Sequence, residues 1–133
     1  LFNHPRATSS IIVDGYHVNY NAVKTAKKIM GDRLFCITDA VTSTSTGFYK
    51  HTLVGDKYES DGTLSGSALT QLKSVQNLVE HVGLDFTEAI KMCSLYPARV
   101  MQKKEMSGSI QIGEPAALIC LTEKMELIKT VTF

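Results

Sequence analysis

The sequence has no tryptophan, three prolines, three cysteines and almost no net charge. Lys plus Arg number 14 against 13 Asp plus Glu, and no basic stripe is interleaved with aromatics. Binding to a nucleic-acid backbone therefore has no electrostatic support. No apolar run approaches the roughly 18 residues of a membrane span, and no charged segment followed by a hydrophobic one opens the chain, so neither membrane nor secretion is predicted. Cys36, Cys93 and Cys120 each sit inside an apolar run, with no CxxC pair. They read as reduced core residues of a cytoplasmic protein. HxH, HExxH and CxxC spacings are missing, so these residues by themselves offer no complete metal site. A GxSxG elbow for a serine nucleophile is missing as well.

What is there is enough for one domain-sized core: 133 residues, 44% of them hydrophobic. The chain opens on "LFNHPRATSS" without Met, and its end, "LIKTVTF", has strand texture. Both ends look cut through structure, which predicts a portion of a longer chain.

"SSIIVDGYHV" has a β-branched core, Ile11 to Val13, that stops at Asp14 and Gly15, a buried-strand pattern. "NYNAVKTAKKIMGD" places Ala22, Val23, Ala26, Ile29 and Met30 at helical spacing, with lysines outside and Gly31 as the stop. In "RLFCITDAV" the unbroken run Leu34 to Ile37 predicts a strand buried on both faces. Strand, helix, strand with short links predicts a right-handed crossover between adjacent parallel strands. Val41 to Ser60 is rich in Thr, Ser, Gly and Tyr, and "HTLVGDKYES" predicts a short hairpin around Gly55 and Asp56. Helices follow: one with Leu69, Leu72, Val75, Leu78, Val79 and Val82 on one face, and one opened by Asp85 and Glu88 at capping-box spacing. Pro97 ends that helix or begins a further turn. Ala117 to Leu121 and Leu127 to Phe133 predict strands of a separate, mostly β layer. The expected division is 1–107 and 108–133.

Three polar clusters interrupt this pattern. Asp14, Gly15 and His17 follow the first strand, and Thr38 and Asp39 follow the second. Reactive groups of β/α folds gather at the carboxyl ends of strands, where loops leave room for a ligand. Asp39 is either an acid capping a turn or a carboxylate kept for chemistry, because an ionised acid at a core edge is costly without a partner. Asp14 before Gly15 is a common turn pair, and a lone His17 is as readily a satisfied structural residue as a ligand or base. The third cluster, "SDGTLSGS", leads into a helix near Ser67. Its backbone amides suit a phosphate or sugar hydroxyl, and a turn with a Ser helix cap explains it too. It lacks the lysine of a P-loop. His4, His51 and His81 are assigned no role.

Taken in order, "IIVDGYHV", "LFCITDAV", "DGTLSGSALT", "VQNLVEHVGL", "SLYPARVM" and "GSIQIGEPAAL" resemble the C-terminal third of the N-acetylglucosamine-6-phosphate deacetylases, a family within the amidohydrolase superfamily. "DGxH" followed about twenty residues later by "TDA", then "GTLSGS", carries the specificity of the resemblance. The tail motifs are shared more widely, and here Met101 and Gln102 follow "PARV" and Ala117 stands where an acid or amide is common. The resemblance implies the C-terminal part of a (β/α)8 TIM-type barrel, its last two strands and helices, plus a β segment of a small flanking β-sandwich domain. A full barrel takes about 250 residues, so this chain cannot hold one.

The same resemblance implies a catalytic Asp39, substrate contacts at His17, Leu64, Ser65, Gly66 and Ser67, and a divalent metal ion, zinc or similar, whose glutamate and histidine ligands lie mostly outside this chain. It further implies an amino-sugar phosphate as the small-molecule partner, a homodimer, and no activity for this chain alone. Asn3 and His4 stay outside the site: "LFNH" looks like part of the family's phosphate motif but lies too close to "DGYH". The expected reaction is removal of the acetyl group, with Asp39 taking a proton from water and returning it to the leaving amine. Two alternatives remain open: another metal-dependent amidohydrolase, such as a cyclic amidase or deaminase, and a non-catalytic sugar-phosphate-binding module.

Overall fold

The computed structural model describes residues 2–48, 50–102 and 108–133. Strand β1 (Ser9–Ile12) pairs in parallel with β2 (Leu34–Ile37), Ser9 opposite Leu34 and Ile12 opposite Ile37. Helix α1 (Tyr20–Met30) makes the crossover. Asn19 caps its start by accepting from the Asn21 amide at 2.9 Å, and Gly31, at φ 60°, ends it beyond Lys27 and Lys28. The first strand thus begins two residues earlier than its apolar core, and Val13, fully buried, follows it.

Strand β2 corrects one expectation. Leu34 and Cys36 are buried, Phe35 is half-buried and Ile37 is exposed. The helices of this chain pack on β2 so that only alternate residues are enclosed, and an unbroken apolar run does not by itself distinguish one-sided from two-sided burial.

Helix α2 (Gln71–Asn77) starts at Thr70, whose hydroxyl accepts from the Lys73 amide at 3.1 Å. It runs on as a π turn, Leu78–Val82, to Gly83 at φ 78°. Val75, Leu78 and Val82 enter the core and Val79 packs half-buried against it, while Leu72 is half-buried outside that cluster. Helix α3 (Phe86–Cys93) is capped by Asp85, which accepts from the Thr87 amide at 2.8 Å. Helix α4 (Leu95–Met101) carries Pro97 in its first turn, where a missing N–H leaves no bond unmade. Cys36 and Cys93 both pack in the core formed by these elements.

Glu88 does not complete the expected capping box. Its carboxylate pairs with Lys27 Nζ of α1 and accepts from Tyr96 Oη at 2.9 and 3.0 Å. Charge-assisted bonds to a cation and a phenol at a half-buried position are stronger than a bond back to a solvent-exposed amide. The three side chains join α1, α3 and α4. Burial acts to raise the Glu88 pKa, but bonds from Lys27 and Tyr96 outweigh it and hold the carboxyl below its usual value.

A separate antiparallel sheet orders β3 (Thr52–Val54), β4 (Lys57–Ser60) and β5 (Thr63–Ser67). The expected hairpin around Gly55 and Asp56 is present as β3 and β4. The last strands, β6 (Ala117–Leu121) and β7 (Leu127–Thr132), form an antiparallel hairpin. Its turn is tied to α2, where Gln76 Nε2 donates to Met125 O at 3.0 Å. The expected boundary between 107 and 108 falls at 103–107, outside the described residues.

Burial and the bond to Glu88 push the Tyr96 hydroxyl up to about 12. A raised folded pKa gives stability that is whole below the unfolded value near 10 and is lost as pH rises through the folded one. Tyr96→Phe is expected to lower stability by about 1 kcal/mol at neutral pH. Melting temperatures followed from about pH 8 to about pH 12 should fall more steeply for the wild type than for the variant.

Candidate functional site

Strands β1 and β2 run the same way, so Asp14 and His17 on one, and Thr38 and Asp39 on the other, leave the sheet at its carboxyl end. The sequence places both clusters correctly. The loop after β1 is held by its acid: Asp14 Oδ1 accepts from the Tyr16 and His17 amides, each at 2.9 Å, and Oδ2 lies 2.6 Å from His17 Nδ1. Gly15 is obligatory there, since it sits at φ +79° and a Cβ would stand 2.9 Å from the Tyr20 ring. Below the loop, buried Asn77 donates from Nδ2 to Val13 O at 2.8 Å. Asp14 is thus a turn residue, as expected, and also fixes the ring of His17, whose Nε2 edge is the one left for a ligand.

Asp39 has a different environment. It lies in the left-handed region, φ 50°, a conformation that costs a non-glycine residue of order 1 kcal/mol, less for Asp and Asn than for others. Its side chain is exposed, and among the described residues it makes no hydrogen bond and no ion pair. The turn-capping account of this acid is therefore not met within the described chain. Its backbone is held instead. Ser67 donates from N to Asp39 O and accepts at O from Val41 N, each at 3.1 Å, while Ser67 Oγ donates to Thr38 O.

"SDGTLSGS" spans the end of β4 (Ser60), the expected turn at Asp61 and Gly62, and all of β5 from Thr63 to Ser67, and it does not open the helix, which begins only after Thr70. Gly66 is buried against Val41, whose methyl carbons a Cβ at 66 would meet at 2.6 and 2.8 Å. Ser67 is fully buried, and Leu64 and Ser65 are half-buried. Ser65 is the extra residue of a β-bulge, because Tyr58 faces Gly66 and Glu59 faces Leu64. Sequence reasoning passed over His51, whose Nδ1 lies 2.9 Å from Ser65 Oγ. It also passed over Lys57, which pairs with Glu59 and stands 5.5 Å above the Tyr16 ring. A histidine and a serine fourteen residues apart carry no periodic signal.

Burial acts to raise the Asp14 pKa, but hydrogen bonds from the His17 ring and from the His17 and Tyr16 amides outweigh it, so its carboxyl lies below the ordinary 3.8. A depressed folded pKa gives stability that is present above 3.8 and lost as pH falls through the lower folded value. Asp14→Asn is expected to lower stability by about 1–2 kcal/mol near neutrality. The gap in melting temperature between wild type and variant should close as pH falls from about 5 to about 2.

Residues 2–132 match the Amidohydrolase family model. An N-acetylglucosamine-6-phosphate deacetylase of Haemophilus influenzae is 35% identical over 133 residues, covering 92% of this chain and 35% of that protein. An N-acetylgalactosamine-6-phosphate deacetylase of Escherichia coli O157:H7 is 32% identical over 124 residues, covering 87% of this chain and 33% of that protein. The crystal structure of N-acetylglucosamine-6-phosphate deacetylase from Pasteurella multocida superposes with a TM-score of 0.89 at 32% identity, over 98% of this chain and 36% of that one. The chain thus spans about a third of the length of these relatives. Its mixed α/β structure is that of the corresponding third of a TIM-barrel deacetylase, and the chain belongs to the Amidohydrolase family.

Proposed function

We propose that this chain is the part of an N-acetylglucosamine-6-phosphate deacetylase that carries the catalytic acid and one wall of the sugar-phosphate site. The observation that carries the reading is Asp39: an exposed carboxylate without an internal partner among the described residues, held in a strained backbone conformation at the carboxyl end of parallel strands. Backbone strain of this kind persists where the surroundings over-determine it, and it clusters at functional sites. The relatives named above support the substrate class.

In this reading Asp39 takes a proton from the water that attacks the acetamide carbonyl and delivers it to the leaving nitrogen, giving acetate and the free amine. His17, oriented by Asp14, donates from Nε2 to the acetyl carbonyl or to a sugar-phosphate oxygen. Donation from Nε2 requires a ring protonated on both nitrogens, its Nδ1–H donating to the Asp14 carboxylate across the 2.6 Å bond. Leu64 to Ser67 form the substrate-contacting strand: Ser65 offers a hydroxyl, while Gly66 and Ser67 hold the backbone of residues 38–41 against it.

Amidohydrolases generally depend on a metal ion, which polarises the attacking water and the carbonyl. Among the described residues, no group of three or more His, Cys, Asp or Glu side chains could hold one. Asp39 could supply a single oxygen, so these residues do not form the cage of a divalent ion.

The test is acetate release from N-acetylglucosamine 6-phosphate by the natural gene product, with the galactosamine epimer in parallel. Asp39→Asn keeps size and backbone tolerance but cannot take and return a proton. It should lower kcat about 100-fold or more with KM and melting temperature nearly unchanged. His17→Asn should raise KM as well as lower kcat. A stable, fully active Asp39→Asn variant would remove the acid from the mechanism. The same assay on residues 1–133 alone should give no acetate above background, because its described residues hold no group able to bind the metal.

A further inference from the structure

Two polar side chains outside the proposed proton-transfer chemistry meet at the bulge of β5. His51 lies just before β3, its carbonyl accepting from the Thr44 amide at 3.1 Å, and its Nδ1 sits 2.9 Å from Ser65 Oγ. Ser65 is the unpaired residue of the bulge, two positions before the serine that holds Thr38 and Asp39. Bulges of this kind re-aim a side chain beside a site, and a hydroxyl re-aimed in this way can rotate unless a neighbour fixes it.

From this geometry we infer that His51 is a positioning residue, holding the Ser65 hydroxyl so that its proton points at an acceptor oxygen of the bound sugar phosphate. The inference rests on the reading above, in which β5 contacts the substrate. A serine hydroxyl has one proton and two lone pairs. If Nδ1 accepted that proton, Ser65 would present only lone pairs, which repel the oxygens of a phosphate. With Nδ1–H donating to Ser65 Oγ, the hydroxyl proton is free for the ligand. This role therefore requires the Nδ1–H tautomer of His51 and an acceptor-rich ligand group. Half-burial of both residues keeps water from competing fully for the same bonds.

The test uses the natural gene product and compares His51→Leu, His51→Asn, Ser65→Ala and the double variant His51→Leu with Ser65→Ala. Removing either partner should raise KM for N-acetylglucosamine 6-phosphate about tenfold, with kcat changed by less than about threefold. The double variant should be no worse than either single one, since both act through one hydroxyl. His51→Asn, whose amide nitrogen can donate from nearly the same place, should restore most of the affinity. A merely structural histidine would lower the melting temperature and leave KM intact. An active wild type whose KM is untouched by His51→Leu, or additive losses in the double variant, would overturn the inference alone. A wild type that releases no acetate overturns the functional reading and this inference together.

Discussion

Residues 38–41 leave β2 with nothing on their own strand to fix them, and the structure closes them onto β5 through a single residue. Ser67 engages this segment with its hydroxyl on Thr38 O, its amide on Asp39 O and its carbonyl on the Val41 amide. Three bonds from a fully buried residue make the left-handed turn at Asp39 the lowest-energy path for the chain. Gly66 lets Val41 come close enough for those bonds to form. The parallel pair, the bulged sheet and the exposed carboxylate are thus parts of one local arrangement, and the position of the acid depends on a serine far along the sequence, on another sheet.

The opposite cluster is built by short-range means. Asp14 satisfies two amides and a histidine ring within three residues of itself, so that loop carries its own geometry wherever β1 ends. Asn77 then fixes the loop to α2 from below. One side of the candidate site is preorganised by local hydrogen bonds and the other by long-range ones. Substitutions at Asp14 and Ser67 act on separate bond sets and are expected to combine additively.

The legibility of these features in the sequence follows the same division. Parallel strands, their crossover helix and the placement of His17 and Asp39 at one end are written in apolar runs and short links, which are local signals. The composition of "SDGTLSGS" reads as a turn throughout, and Asp61 and Gly62 are one, while Thr63 to Ser67 form a strand paired to "KYES". Pairing across a hairpin overrides weak intrinsic preference. Glu88 shows the same limit: a capping box is visible at three-residue spacing, but Lys27 and Tyr96 arrive from other helices and take the carboxylate. His51 and Ser65 meet only because a bulge shifts the register, and nothing in their neighbourhoods announces a bulge. One-sided burial of β2 likewise depends on which faces the rest of the chain covers.

Cys36 sits in the middle of β2 with Cys93 packed in the same core. A hydrogen bond with Cys93, together with burial, pushes its thiol far above the ordinary value. Nucleophilic sulfur chemistry belongs to the thiolate, and both the burial of Cys36 and its thiol neighbour disfavour that form and bar access to it. It behaves as a small polarisable hydrophobe lying one strand position before the exposed Ile37. The strand that delivers Asp39 to the solvent edge thus keeps its own sulfur enclosed, and a thiol reagent that labelled Cys36 would be reporting the opening of β2 from its helices.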